Sequence, residues 1–169
     1  MKLYLWLFVL VSFLTITSCK KEENSNAQQI YFNSFEFQSD VAGWQGNAFT
    51  LSNDVPANGG KKSLYVSGGS VFPHAECTIK PQNTESYLTL KFWGKNLSNG
   101  GAVYLYVNDA GFKEISFEVS EKEWTLYESK DSLFCPPNTS MTLGVIAGGI
   151  SSSAILVDMI EIRKLNVSH

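Results

Sequence analysis

The chain has 169 residues, a length suited to one domain with a substantial core, and its 13 Lys and Arg stand against 16 Asp and Glu for a net charge of −3. That acidic balance, with no basic cluster, argues against nucleic acid or anionic headgroups as partners. The only histidines are His74 and His169, so any His-dependent nucleophilic machinery would rest on His74, since His169 ends the chain.

The chain opens with MKLYLWLFVLVSFLTITS: one cation, Lys2, then a largely apolar run and a small residue before Cys19. This is the anatomy of a secretion signal. The run is shorter than the ~20 residues that a membrane-spanning helix needs, and Thr15, Thr17 and Ser18 dilute its end. Ile16-Thr17-Ser18-Cys19 resembles the bacterial lipoprotein signal. That resemblance implies cleavage after residue 18, lipidation of Cys19 and attachment to a membrane through the lipid anchor, each buried methylene contributing about 0.8 kcal/mol. An ordinary cleaved signal with an incidental cysteine is the alternative. Lys20-Lys21-Glu22-Glu23 resembles the sorting tag that Bacteroidetes-type bacteria place after the lipidated cysteine, which implies an outer-membrane lipoprotein exposed at the cell surface. Residues 19–29 are then the lipidated cysteine and a polar tether, and residues 30–165 the folded domain.

From Gln29 onward, short runs of β-branched and aromatic residues alternate with Gly, Asn, Pro and Ser, and no stretch sustains helical spacing. Strands are predicted over 29–37, 47–52, 62–68, 74–80, 86–95, 101–108, 112–119, 123–130, 140–147 and 153–163. Repeats of about ten residues punctuated by turns predict an all-β fold, an antiparallel β-sandwich.

Alternation then sorts the side chains. Leu88, Leu90 and Phe92 point into the core with Val103, Leu105 and Val107, and Ile115, Phe117 and Val119 join them. The opposite side is expected to gather Tyr87, Thr89, Lys91 and Trp93 with Tyr104, Tyr106 and Asn108, and with Glu114, Ser116 and Glu118. His74, Glu76 and Thr78 oppose the inward Ala75, Cys77 and Ile79. Cys77 and Cys135 could form a disulfide or remain two buried thiols; the spacing leaves both open.

Asn33-Ser34-Phe35-Glu36, Trp44, Asn53-Asp54-Val55-Pro56, Gly60-Lys61-Lys62-Ser63-Leu64-Tyr65-Val66, the run from Tyr87 to Lys95, Trp124 and the run from Ile155 to Ile162 occur in an order that resembles the galactose-binding-like jelly rolls. The likeness is to the carbohydrate-binding modules attached to xylanases and glucanases, and it covers nearly all of residues 30 to 164. It implies a structural calcium held by the side chains of Glu36 and Asp158 and by backbone carbonyls near Ser34, Gly59 and Lys62. Calcium's preference for six to eight oxygens suits that set. It also implies a polysaccharide or oligosaccharide ligand, with Phe72 near an aromatic platform position, Glu76 near a hydroxyl-binding acid and Phe112 near a second aromatic position. With His74, Trp93, Tyr104 and Tyr106, these form the expected ligand-binding set: flat rings for sugar C–H faces and polar groups for hydroxyl edges. High strand propensity alone would also account for the aromatics.

No serine lies in a G-x-S-x-G context, and there is no zinc spacing or phosphate loop. Glu114, Glu118 and Glu121 could be pressed into a glycosidase pair but match no signature. The expectation is a non-catalytic, surface-anchored carbohydrate-binding lipoprotein serving separate hydrolases or transporters. A protein-binding accessory of an outer-membrane complex is the alternative, and a divergent glycosidase comes third.

Overall fold

The computed structural model describes residues 27–67, 74–108, 113–148 and 152–165. The leader, Cys19, most of the tether, Phe72 and Phe112 lie outside these residues. Twelve strands and one 3₁₀ turn, Gln38–Val41, make up the described chain. The strands are β1 (Ala27–Asn33), β2 (Trp44–Gly46), β3 (Phe49–Ser52), β4 (Ser63–Ser67), β5 (His74–Ile79), β6 (Ser86–Ser98), β7 (Gly101–Val107), β8 (Glu114–Glu118), β9 (Thr125–Glu128), β10 (Leu133–Cys135), β11 (Met141–Ala147) and β12 (Ala154–Leu165). Ala27, Gln28 and Gln29, expected in the tether, already pair with Leu165, Lys164 and Arg163. The strand starts there because its partner β12 extends far enough to receive it.

Two antiparallel sheets form a sandwich. The seven-stranded sheet runs β10-β6-β12-β4-β3, with β1 also on β12 and β9 also on β6; the five-stranded sheet runs β2-β5-β11-β7-β8. Between them lies one core. Leu88, Leu90 and Phe92 from β6 and Leu64, Val66, Ile155, Val157, Ile160 and Ile162 from its neighbours face Val103, Leu105, Leu143 and Val145, all fully buried. Each such side chain contributes on the order of 1.5–3 kcal/mol. Phe92 stacks on Tyr127 at 5.0 Å and meets Phe117 edge-on at 5.5 Å, closing one flank.

The link from β6 to β7 governs what each sheet presents. Asn99 and Gly100 take φ of 55° and 68°, the left-handed region that Asn and Gly enter most readily. Buried Asn96 fixes this link: its amide donates to the Ser120 carbonyl at 3.0 Å and its Oδ1 accepts the Gly100 N–H at 2.9 Å. The chain therefore leaves one sheet and enters the other instead of making a hairpin. Trp93 and its outward neighbours thus lie on the seven-stranded sheet, while Tyr104 and Tyr106 lie on the five-stranded one. This corrects the expectation that they share a face.

Cys77 and Cys135 are separate buried thiols on different sheets. Burial, more than the opposing hydrogen bond from Tyr31, pushes the Cys77 thiol up to about 11, which makes it a packing group and not a nucleophile.

Candidate functional site

On the outer face of the five-stranded sheet the register builds one transverse row: Gln45 beside Glu76, then Gly144, Tyr104 and Ser116. Gly144 is the gap in that row. A Cβ placed there would fall 2.1 Å from Tyr104 Cζ and 2.4 Å from its Cε2, so the phenol ring lies across β11 against bare backbone. A strand glycine of this kind marks close approach of another group. Having crossed β11, the Tyr104 hydroxyl donates a hydrogen bond to Glu76 Oε1 on β5. The ring is pinned at both ends and turns its remaining side outward.

Tyr106 extends this surface, its ring centroid 6.0 Å from that of Tyr104 and its plane tilted by 23°. Burial, then the hydrogen bond and charge of Glu76, and then Tyr106 and Glu114, hold the Tyr104 phenol well above its ordinary range, so it stays a neutral donor. In the next row Thr142 donates to Asn108 Oδ1 at 3.2 Å, and the Asn108 amide donates to Ser140 Oγ at 2.8 Å, giving the platform a polar border. His74 occupies the row on the other side, with Ile146 and Ala102. The five strands contain no Lys or Arg, whereas Glu76, Glu114 and Glu118 all face outward. These outward carboxylates disfavour an acidic ligand over the strands themselves.

Of the expected ligand-binding residues, His74, Glu76, Tyr104 and Tyr106 thus share one face. Trp93 lies on the other sheet, and Phe72 and Phe112 fall outside the described residues. Sequence pattern does not single out Gly144, Thr142 or Ser140. The signal available was a glycine interrupting the otherwise bulky run Met141-Thr142-Leu143-Gly144-Val145-Ile146.

A second cluster forms where β12 exchanges partners, from β4 at Ala154–Val157 to β1 at Ile160–Leu165. The strand is irregular there, and Met159 takes a φ of 49°. Asp158, just before it, is fully buried; its Oδ1 accepts the Met159 N–H at 2.7 Å, and its Oδ2 has no hydrogen-bond partner among the described residues. Gly59 lies directly against it, since a Cβ there would be 2.6 Å from Oδ2. Gly60 packs on Glu36 in the same way, and both Glu36 oxygens accept the Lys61 N–H at 2.9 and 3.0 Å. Burial first, and the nearby Glu36 charge second, raise Asp158 to about 7 against the opposing Met159 N–H. A buried, half-satisfied carboxylate is costly unless a proton or cation meets it. Ser34 sits beside Glu36 on the rim of an adjoining depression. Lys62 directs its ammonium away, to Asn53 Oδ1 at 2.6 Å, so only its backbone could serve an ion. Among the described residues no three His, Cys, Asp or Glu side chains converge as a metal cluster; carbonyls would have to complete any oxygen shell here.

No family model and no curated protein matches this chain. Solved structures do. The CBM22-1 xylan-binding domain of Paenibacillus barcinonensis Xyn10C superposes with a TM-score of 0.56 at 14% identity, over 84% of this chain and 97% of that one. The fold is that of the carbohydrate-binding-module jelly rolls. TmCBM61, solved in complex with β-1,4-galactotriose, superposes with a TM-score of 0.51 at 16% identity, over 72% of this chain and 88% of that one. The enzymatically active domain of bacteriophage CBA120 tailspike protein 4 gives a TM-score of 0.56 at 18% identity over 85% of this chain, but this chain spans only 20% of the tailspike structure. Similarity at these identities is a matter of fold, and the same jelly roll carries several functions.

Proposed function

We propose that this chain is a non-catalytic glycan-binding protein that uses the outer face of its five-stranded sheet. The observation that carries the reading is Tyr104, laid flat over Gly144 and tied to Glu76, with Tyr106 beside it. A ring fixed in this way loses little conformational freedom on binding, so stacking against a sugar's C–H face is retained as affinity. Glu76 and the border of Asn108 and Ser140 supply hydroxyl partners that set orientation. Binding is reversible contact with no bond made or broken. Glu114 and Glu118 stand exposed on an edge strand, and Glu114 borders an open depression with Glu128 and Asp131.

Asp158, Glu36 and carbonyls of the Gly59 turn fit a calcium ion, which would neutralise the buried carboxylates and fasten the β12 irregularity to the 53–62 loop. The leader and Cys19 support attachment to the outer membrane through lipid, with the domain facing outward to capture glycan for separate hydrolases or transporters. Affinity electrophoresis of the chain from residue 20 onward through gels containing xylan, galactan or other neutral polysaccharides tests the binding claim. Retardation by at least one polymer, lost in Tyr104→Ala, is expected. Migration unaffected by every polymer, together with capture of an outer-membrane protein, would replace this reading with that of a protein-binding accessory.

A further inference from the structure

Four large apolar side chains are exposed among the described residues, and two of them, Phe37 at 69% and Phe32 at 46%, border a single depression. Asn33, Ser34, Glu36 and Asp40 complete its lining, and its volume is about 430 Å³, within the range of small-ligand sites. The loop presenting Phe37 is tightly held. Phe37 N–H donates to Asp40 Oδ2 at 2.9 Å, Asp40 N–H returns to the Phe37 carbonyl at 2.9 Å, and the Asn33 amide donates to the Asp40 carbonyl at 2.8 Å. Below it, Phe35 and Val41 are buried in the core. The backbone on either side of Phe37 is thus fixed, and its phenyl ring stands in water.

We infer that this depression is a second carbohydrate-contact site, a reading that rests on the glycan-binding role proposed above. Its chemistry is two flat apolar rings with neutral and anionic polar groups between them. That suits an uncharged pyranose, which offers a C–H face to the rings and hydroxyls to the rim. The Asp40 carboxylate opposes an anionic lipid surface or nucleic acid. Phe32 belongs to β1 in the seven-stranded sheet, so this site and the Tyr104 platform lie on different sheets. A short oligosaccharide occupies one or the other, whereas a long polymer, or two polymers, can engage both, and avidity follows from the linkage.

The test is calorimetric titration of the chain from residue 20 onward with β-1,4-galactotriose, xylohexaose and a wider panel of neutral oligosaccharides. The variants are Phe37→Ser, the Tyr104→Ala/Tyr106→Ala double and the triple combination. Phe37 is already in solvent, so its replacement leaves the melting temperature unchanged. The expected result is two oligosaccharides per wild-type chain, one for Phe37→Ser, one for the double variant and none for the triple. Mixing with high-molar-mass polymer should cross-link and precipitate it with wild type but not with Phe37→Ser. If the double variant loses all binding and Phe37→Ser keeps the wild-type stoichiometry, the second site is refuted and the sheet-face reading stands. If the double variant titrates exactly like wild type, the sheet-face reading fails instead. Cosedimentation with phosphatidylcholine vesicles that disappears in Phe37→Ser, with no change in oligosaccharide stoichiometry, would assign the rings to a lipid surface and overturn the inference.

Discussion

Replacing Gly144 with alanine probes the platform without touching any group that meets ligand. The new Cβ would sit 2.1 Å from Tyr104 Cζ and 2.3 Å from its hydroxyl oxygen, where carbon contacts settle at about 3.5–4.0 Å. The ring must therefore lift by more than about 1 Å, and since its hydroxyl reaches Glu76 only by lying across β11, the hydrogen bond breaks. A hydrogen bond to a charged partner contributes roughly 1.5–3 kcal/mol; the half-exposed ring places this one at the low end. Alanine returns about 0.5–1 kcal/mol through its better strand conformational entropy, so overall stability changes little. Binding does not share that compensation, because the platform has left the sheet. A loss of about 1.4 kcal/mol or more, at least tenfold in affinity, is expected by calorimetry against the best-bound polysaccharide, with the melting temperature within a few degrees of wild type. Undiminished affinity in Gly144→Ala, with Tyr104 still bonded to Glu76 in its structure, would refute the reasoning.

Other consequences are equally direct. Trp93→Ala removes a ring from the opposite sheet and should leave retention in polysaccharide gels unchanged; loss of retention would return Trp93 to the site. Asp158 titrates near 7 in the fold against 3.8 unfolded, so the folded state binds more protons over that window and metal-free stability falls as pH rises from about 4 to 7, by at most about 4 kcal/mol. Thermal melts in chelator should therefore be higher at pH 5 than at pH 8, calcium should restore the loss at pH 8, and Asp158→Asn should abolish both effects; a flat profile in wild type contradicts the assignment. Asn96→Ala strips both hydrogen bonds from the β6–β7 crossover and should cost about 1–3 kcal/mol in denaturant unfolding, with no such loss expected if the link were merely a solvent loop.

Period-two alternation is a local property, and it was enough to identify the core: Leu88, Leu90, Phe92, Val103, Leu105 and Val107 all turn inward as expected. Sheet membership is not local. Trp93 and Tyr104 have the same outward parity, and only the turn at Asn99 and Gly100, with Asn96 buried beneath it, sends them to opposite sides. Three-residue strands such as β2 and β10 are too short to show a period. The meeting of Asp158 with Gly59 and Glu36 depends on an irregularity in β12 at Met159, a residue type that carries no warning of positive φ. The resemblance to carbohydrate-binding modules pointed to those positions where pattern alone could not. Phe37, by contrast, reads as the end of a strand, but β1 stops at Asn33, whose Oδ1 accepts the Phe35 N–H, and Phe35 takes a φ of 56°.

The account stands most directly on whether sugar reaches the Tyr104 platform, and an NMR titration of isotope-labelled protein with a retained oligosaccharide decides it. Tyr104, Tyr106, Glu76 and Gly144 should show the largest shifts, saturating together, with Trp93 unmoved. Saturable binding that leaves those four resonances in place would contradict it.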